Sequence, residues 1–242
     1  MYHGRPAWVV SRYRDIRAAL LDPRLSADTI PAAMKPSGSG NGAPVMFART
    51  DDPEHHRLRR MLTSNFTFRR TEAMRQQIRQ LVDHYLGEMI SHGPPADIVR
   101  DFGLPVPSLV IALLLGVPPD DLGLFQHHTT RGLDCKTSEE EKAHAFAAMH
   151  AYIQELVARK EREPGDDLIS RLVTDYVATG QLDHETAAMT SVIMMQAGHE
   201  TTANMISLGT VALLTHPDVY ARLGQTTILL WWRTSSRSSC AI

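Results

Sequence analysis

Cysteine is nearly absent from this chain: two residues, Cys135 and Cys240, in 242. So few thiols exclude a disulfide-stapled secreted scaffold and point to a reducing, cytoplasmic setting. Also missing is an apolar run long enough for a membrane. The most apolar one, Leu109-Val110-Ile111-Ala112-Leu113-Leu114-Leu115, is far shorter than the roughly 20 residues a bilayer span needs, and no secretory leader opens the chain. Charge of one sign is lacking too. A formal net charge of -2 gives no general case for binding nucleic acid. What remains is a chain of 43% hydrophobic and 21% charged residues, long enough to bury the core of one large domain or two small ones.

Against these absences stands one long apolar segment. From Asp183 to Leu214 no proline occurs and Ala, Leu, Met, Ile and Val dominate both flanks, so the segment reads as a single helix of roughly 48 Å. Asp183 supplies an N-cap with Glu185 in the first turn, and Thr215-His216-Pro217 stops the helix before a proline. An apolar helix this long belongs in the middle of a fold, with other helices around it. At its midpoint lies Gln196-Ala197-Gly198-His199-Glu200-Thr201-Thr202. A Gly in a helix interior costs about 1 kcal/mol relative to Ala, and a Thr can bond back to a carbonyl one turn earlier. Two readings fit: a local break where a ligand approaches the backbone, or a small-residue contact that lets a second helix come close.

A second polar segment is Asp51-Asp52-Pro53-Glu54-His55-His56-Arg57-Leu58-Arg59-Arg60. An Asp cap, Pro at the first helical position and Glu behind it make a helix start. His55 and Arg59 then share a face, as do His56 and Arg60, and by itself such a face is simply solvated. Elsewhere the pattern predicts a β-prone opening through Val10, a helix over Tyr13–Leu21, a loop over Pro31–Gly42 and a helix over Thr71–Ile90. A short strand follows at Ala96–Val99. Further helices are expected over Phe102–Val117, Pro119–Leu133, Ser138–Arg162 and Asp166–Ala178. The fold class is mainly α, with small β elements.

Ala197-Gly198-His199-Glu200-Thr201-Thr202 resembles the A-G-x-[D/E]-T-[T/S] signature of the cytochrome P-450 family of haem-thiolate monooxygenases. The segment from Asp51 to Arg59 is similar to the family's D-x-P-E-H-x-R-L-R run, and Phe66-Thr67-Phe68-Arg69-Arg70 to its companion phenylalanine-threonine-x-arginine-arginine. The resemblance extends from Gly4 to Leu223 and is to soluble actinobacterial members. It implies the N-terminal and central part of the cytochrome P-450 fold around a b-type haem. Thr201 would hydrogen-bond the oxygen that binds over the distal haem face, Glu200 would help relay protons, and Ala197 and Gly198 would leave room for oxygen and substrate. His55 and Arg59 would hold the haem propionates. A hydroxyl beside a carboxylate suits proton delivery into a dry pocket, and an Arg with a second donor suits a carboxylate. The implied activity inserts one atom of dioxygen into a small organic substrate, as in hydroxylation, with electrons from a ferredoxin or similar donor.

The family's glutamate-x-x-arginine helix and its phenylalanine-x-x-glycine-x-x-x-cysteine-x-glycine loop, whose thiolate is the axial iron ligand, are not found in the sequence. Neither Gly132-Leu133-Asp134-Cys135-Lys136 nor Ser238-Ser239-Cys240-Ala241-Ile242 has that flanking pattern, so both cysteines read as ordinary thiols and no metal ligand is assigned. From Gly224 to Ile242 the chain has no helical period and sets Trp231 beside Trp232. Back-translated with permitted synonymous codons and read one nucleotide earlier, this tail can give a peptide resembling the next family segment, glutamate-x-x-arginine included. The expectation is a partial cytochrome P-450 domain over 1–223, a frameshifted tail over 224–242 and an inactive chain as written. Two other functions compete. A zinc hydrolase would use His199 and Glu200, but needs a second His where Ala203 stands. A non-enzymatic helical binding protein would use Arg57, Arg59, Arg60, Arg69 and Arg70, and would bind nucleic acid in a salt-sensitive way.

Overall fold

The computed structural model describes residues 9–26, 47–133 and 137–225. Among them the secondary structure is helical throughout, with no strand. In chain order the α-helices are α1 (Tyr13–Leu21), α2 (Glu54–Thr63), α3 (Phe68–His92), α4 (Pro105–Leu115), α5 (Leu122–Leu133), α6 (Glu139–Arg162), α7 (Leu168–Leu172), α8 (His184–Thr215) and α9 (Pro217–Gln225). The Pro31–Gly42 loop, both cysteines and most of the C-terminal tail lie outside the described residues.

α8 is the predicted long helix, 32 residues without interruption. Asp183 caps it by accepting the Thr186 N–H at 2.7 Å and the Thr186 hydroxyl at 2.8 Å. It ends at Thr215, ahead of Pro217, as local signals require. α4 and α6 pack along it, and α5 closes on α6. The core joins Leu58 and Leu62 of α2, Ile111, Ala112 and Leu115 of α4, Phe125 of α5, Met149 and Ile153 of α6, and Ala187, Ala188 and Val192 of α8. Every residue from Thr186 to Ile193 is buried, as an all-round apolar helix demands. Beyond Ala203 no residue of α8 is buried, and Met205, Leu208, Val211 and Leu214 are exposed. The expectation of a fully enclosed helix therefore holds for its first half.

The other starts and stops follow side-chain chemistry. At α2 the Asp52 carboxylate accepts the His56 N–H at 3.1 Å. At α6, Ser138 and Glu141 form a reciprocal capping box. α4 ends at Gly116, whose φ of 77° is left-handed, and the Val117 N–H returns to the Ala112 carbonyl at 2.9 Å. The strand expected at Ala96–Val99 is not formed: Ala96 and Asp97 are irregular, and Ile98 runs into a π-helical turn, Val99–Gly103. Its cause is Asp97, whose Oδ1 accepts the N–H groups of Val99 and Arg100 at 3.0 and 3.1 Å and so commits the chain to a turn. Val9 and Val10, the described end of the β-prone opening, belong to no strand.

Candidate active site on the central helix

At the middle of α8 the signature residues divide by face. His199 is fully buried and Gly198 half-buried, while Ala197, Glu200, Thr201 and Thr202 are exposed. Helical spacing puts Thr201 one turn after Ala197, and its hydroxyl donates to the Ala197 carbonyl at 2.6 Å. Despite that bond the helix stays regular, so the local break suggested by the Gly–Thr grouping is not found. Gly198 has a packing reason instead. A Cβ there would stand 2.9 Å from Ile111 Cδ1 and 3.3 Å from Ile111 Cγ1, so the missing side chain lets α4 and α8 meet.

His199 holds the same junction. Its Nε2 lies 3.2 Å from the Leu104 carbonyl at the head of α4, and its Nδ1 is buried without a partner. Burial pushes its pKa below the ordinary 6.5, against smaller upward pulls from the Leu104 carbonyl and the Glu200 charge. The imidazole is thus held neutral, with Nε2–H as the donor. About two turns further, a Cβ on Gly103 would come 2.9 Å from Ser207 Oγ, a second close approach on the same face. Sequence reasoning considered His199 only as a zinc ligand in the competing hydrolase reading, because it falls at the variable position of the signature. Burial of this one His on an apolar helix shows only in the assembled fold.

α2 presents the other pair. Leu58, Met61 and Leu62 face the core, which turns Arg59 outward, where its side chain makes no hydrogen bond or ion pair among the described residues. His55 lies parallel to Phe47, ring centroids 6.4 Å apart, with Nδ1 3.7 Å from Asp52 Oδ1. Arg57, named from sequence only as part of a basic face, fixes the helix. It donates to Glu54 at 2.7 and 2.8 Å and to the Gln181 carbonyl at 2.8 Å, tying α2 to the turn that feeds α8. Arg70 is likewise engaged by Asp166, so the proposed basic face is partly committed to internal pairs. No hydrogen bond or ion pair links His55 or Arg59 to the α8 motif among the described residues.

These features fit a haem. The exposed side of α8 offers Ala197, Thr201, Met205 and Leu208 to a flat apolar group, and an unpaired guanidinium on α2 suits its carboxylates. No cluster of three or more His, Cys, Asp or Glu side chains able to hold a metal occurs among the described residues, and no described helix is long and apolar enough to cross a membrane.

Comparison with known proteins gives the same direction. The family model for Cytochrome P450 matches residues 135–226. The chain is 42% identical to Cytochrome P450-SU2 of Streptomyces griseolus, over 92% of this chain and 55% of that protein. It is 40% identical to the Vitamin D3 dihydroxylase of the same organism, over 92% of this chain and 56% of that one. Among solved structures, the mycinamicin VIII C21 methyl hydroxylase of Micromonospora griseorubida superposes with a TM-score of 0.80 at 35% identity, over 93% of this chain and 58% of that one. The chain spans about half the length of the curated relatives it matches. Signature helix, His55–Arg59 helix and these likenesses agree: the chain belongs to the cytochrome P450 family.

Proposed function

We propose that this chain carries the oxygen-side and propionate-side residues of a haem monooxygenase that inserts one atom of dioxygen into a small organic substrate. Haem supplies the iron at which dioxygen is reduced and its O–O bond broken. The observation that carries the reading is the Thr201 hydroxyl, exposed beside Glu200 and bonded back to Ala197 at 2.6 Å. In that state the hydroxyl proton is occupied and its lone pairs face outward. Rotation about χ1 frees the proton for an oxygen in front of the helix, and the adjacent Glu200 carboxylate exchanges protons with solvent. Ala197 keeps the approach open, Gly198 sets the depth of α8 against α4, and His199 fixes its rotation. Arg59, with His55 held by Phe47, binds the carboxylates. Two relatives are named as hydroxylases, which supports the reaction type. A ferredoxin or similar donor supplies electrons, and the setting is cytoplasmic.

Neither Cys135 nor Cys240 ligates the iron in this reading, since neither has the family's flanking residues. In the same reading 224–242 is a frameshifted tail on a partial domain over 1–223. Sequencing the gene tests the tail: an intact frame of unrelated codons would refute it. Titration with haem, followed by reduction and carbon monoxide, tests the site. The chain should take up haem weakly, Arg59→Ala should weaken that uptake by about tenfold, and the red-shifted band of thiolate-ligated ferrous haem should be missing. Uptake indifferent to Arg59 would overturn the propionate assignment. A thiolate band would overturn the assignment of the two cysteines.

A further inference from the structure

Away from α8 a cleft of about 510 Å³ opens between α3, the end of α4 and the approach to α7. None of His55, Arg59, Ala197, Gly198, Glu200 or Thr201 lines it. Its polar end is built around Asn65, which is 3% exposed. Arg171 Nε donates to Asn65 Oδ1, which fixes the orientation of the amide and leaves Nδ2 as the free end. That Nδ2 is buried and has no acceptor. A buried donor without a partner is a standing cost that an arriving oxygen removes.

Positive charge is in excess at the same place. Arg171 and Arg70 both donate to one oxygen of Asp166, at 2.5 and 3.3 Å, so two guanidiniums share a single carboxylate. Asp166 is 95% exposed, whereas the Arg171 side chain is 16% exposed. Burial, and then the charge of Arg70, push the Arg171 guanidinium below its ordinary pKa, against smaller upward pulls from Asp166 and Asp167. Met74, Leu113 and Leu114 form an apolar wall. From this juxtaposition we propose that the cleft binds the oxyanion group of a small organic molecule, a carboxylate or a phosphate ester, with Asn65, Arg70 and Arg171 as donors and the molecule's apolar body on Met74, Leu113 and Leu114. The volume suits a drug-sized ligand, and planar guanidiniums beside an amide match the forked geometry of such groups.

The test is calorimetric titration of the chain with benzoate and with phenyl phosphate, at constant ionic strength in chloride. One of the two should bind saturably, and which one does identifies the oxyanion. Asn65→Asp keeps the bond from Arg171 and replaces the free donor with a carboxylate oxygen, so it should weaken binding by about tenfold or more. Arg70→Gln, at a side chain 39% exposed, should weaken binding without disturbing the core, and covers the case in which Asn65→Asp does not fold. Binding of neither probe, or equal binding to wild type and Arg70→Gln, would overturn the proposal. Because no haem is added, the result is independent of the monooxygenase reading.

Discussion

Replacing Gly116 with Ala should be among the most damaging small changes in this chain. Gly116 ends α4 at a φ of 77°, and a Cβ built on it would stand 2.2 Å from Cγ of Asp167. Asp167 is 6% exposed and serves three partners: Lys160 Nζ at 2.7 Å, the Ser170 N–H at 2.8 Å and the Ser170 hydroxyl at 2.9 Å. The left-handed backbone alone costs an alanine roughly 1–2 kcal/mol. Expelling Asp167 strands Lys160, whose side chain is only 15% exposed, and breaking a buried pair this way costs about 3–5 kcal/mol. The combined loss, roughly 4–7 kcal/mol, is comparable to the whole stability of many domains. Urea unfolding followed by the helical circular dichroism signal measures it. The decisive comparison is the double variant. With Asp167→Ala already in place, Gly116→Ala should add only the backbone cost of about 1–2 kcal/mol. A double variant whose loss equals the sum of the single losses would refute the claim that Gly116 exists to admit Asp167.

Other expectations concern the α8 junction and α2. His199 has a folded-state pKa below the unfolded 6.5, so the unfolded chain binds the extra proton; its contribution is present above pH 6.5 and is lost as pH falls from there towards the folded value. Urea midpoints at pH 5.5 and 7.5 should differ more for the wild-type chain than for His199→Gln, and equal differences would refute the assignment. Gly198→Val should cost about 1–3 kcal/mol by overpacking, with part of the loss recovered by Ile111→Ala, as read by thermal unfolding. Arg57→Ala removes the bond to the Gln181 carbonyl from a side chain 43% exposed. It should lower stability by about 1 kcal/mol, and no change would mean that α2 is held by its apolar face alone.

What the sequence made legible was local. Asp183 and Pro217 bound α8 because a cap and a ring act on their immediate neighbours, and Ser138 with Glu141 did the same for α6. The face shared by His55 and Arg59 followed from helical spacing alone. Harder to see were contacts between residues far apart in the chain. Gly198 had two readings until Ile111 stood against it, and nothing near Gly116 announces Asp167. Asp97 misled in the other direction: a short strand was expected at Ala96–Val99, but its carboxylate captured two following N–H groups. The half-bare α8 was also illegible, since composition records how apolar a helix is and not how far its neighbours reach along it.

Mechanically, α8 is a cantilever. Its first half is clamped by its neighbours, full burial ends at Ala203, and about three further turns are held on one side only, where Gly103 meets Ser207, with Met205, Leu208, Val211 and Leu214 uncovered. Thr201 therefore sits at the root of the projecting arm, where a bending beam moves least. Thermal excursions of the less-covered half leave the hydroxyl at the clamp nearly still, and backbone amide exchange should slow progressively from Thr215 back to Val192.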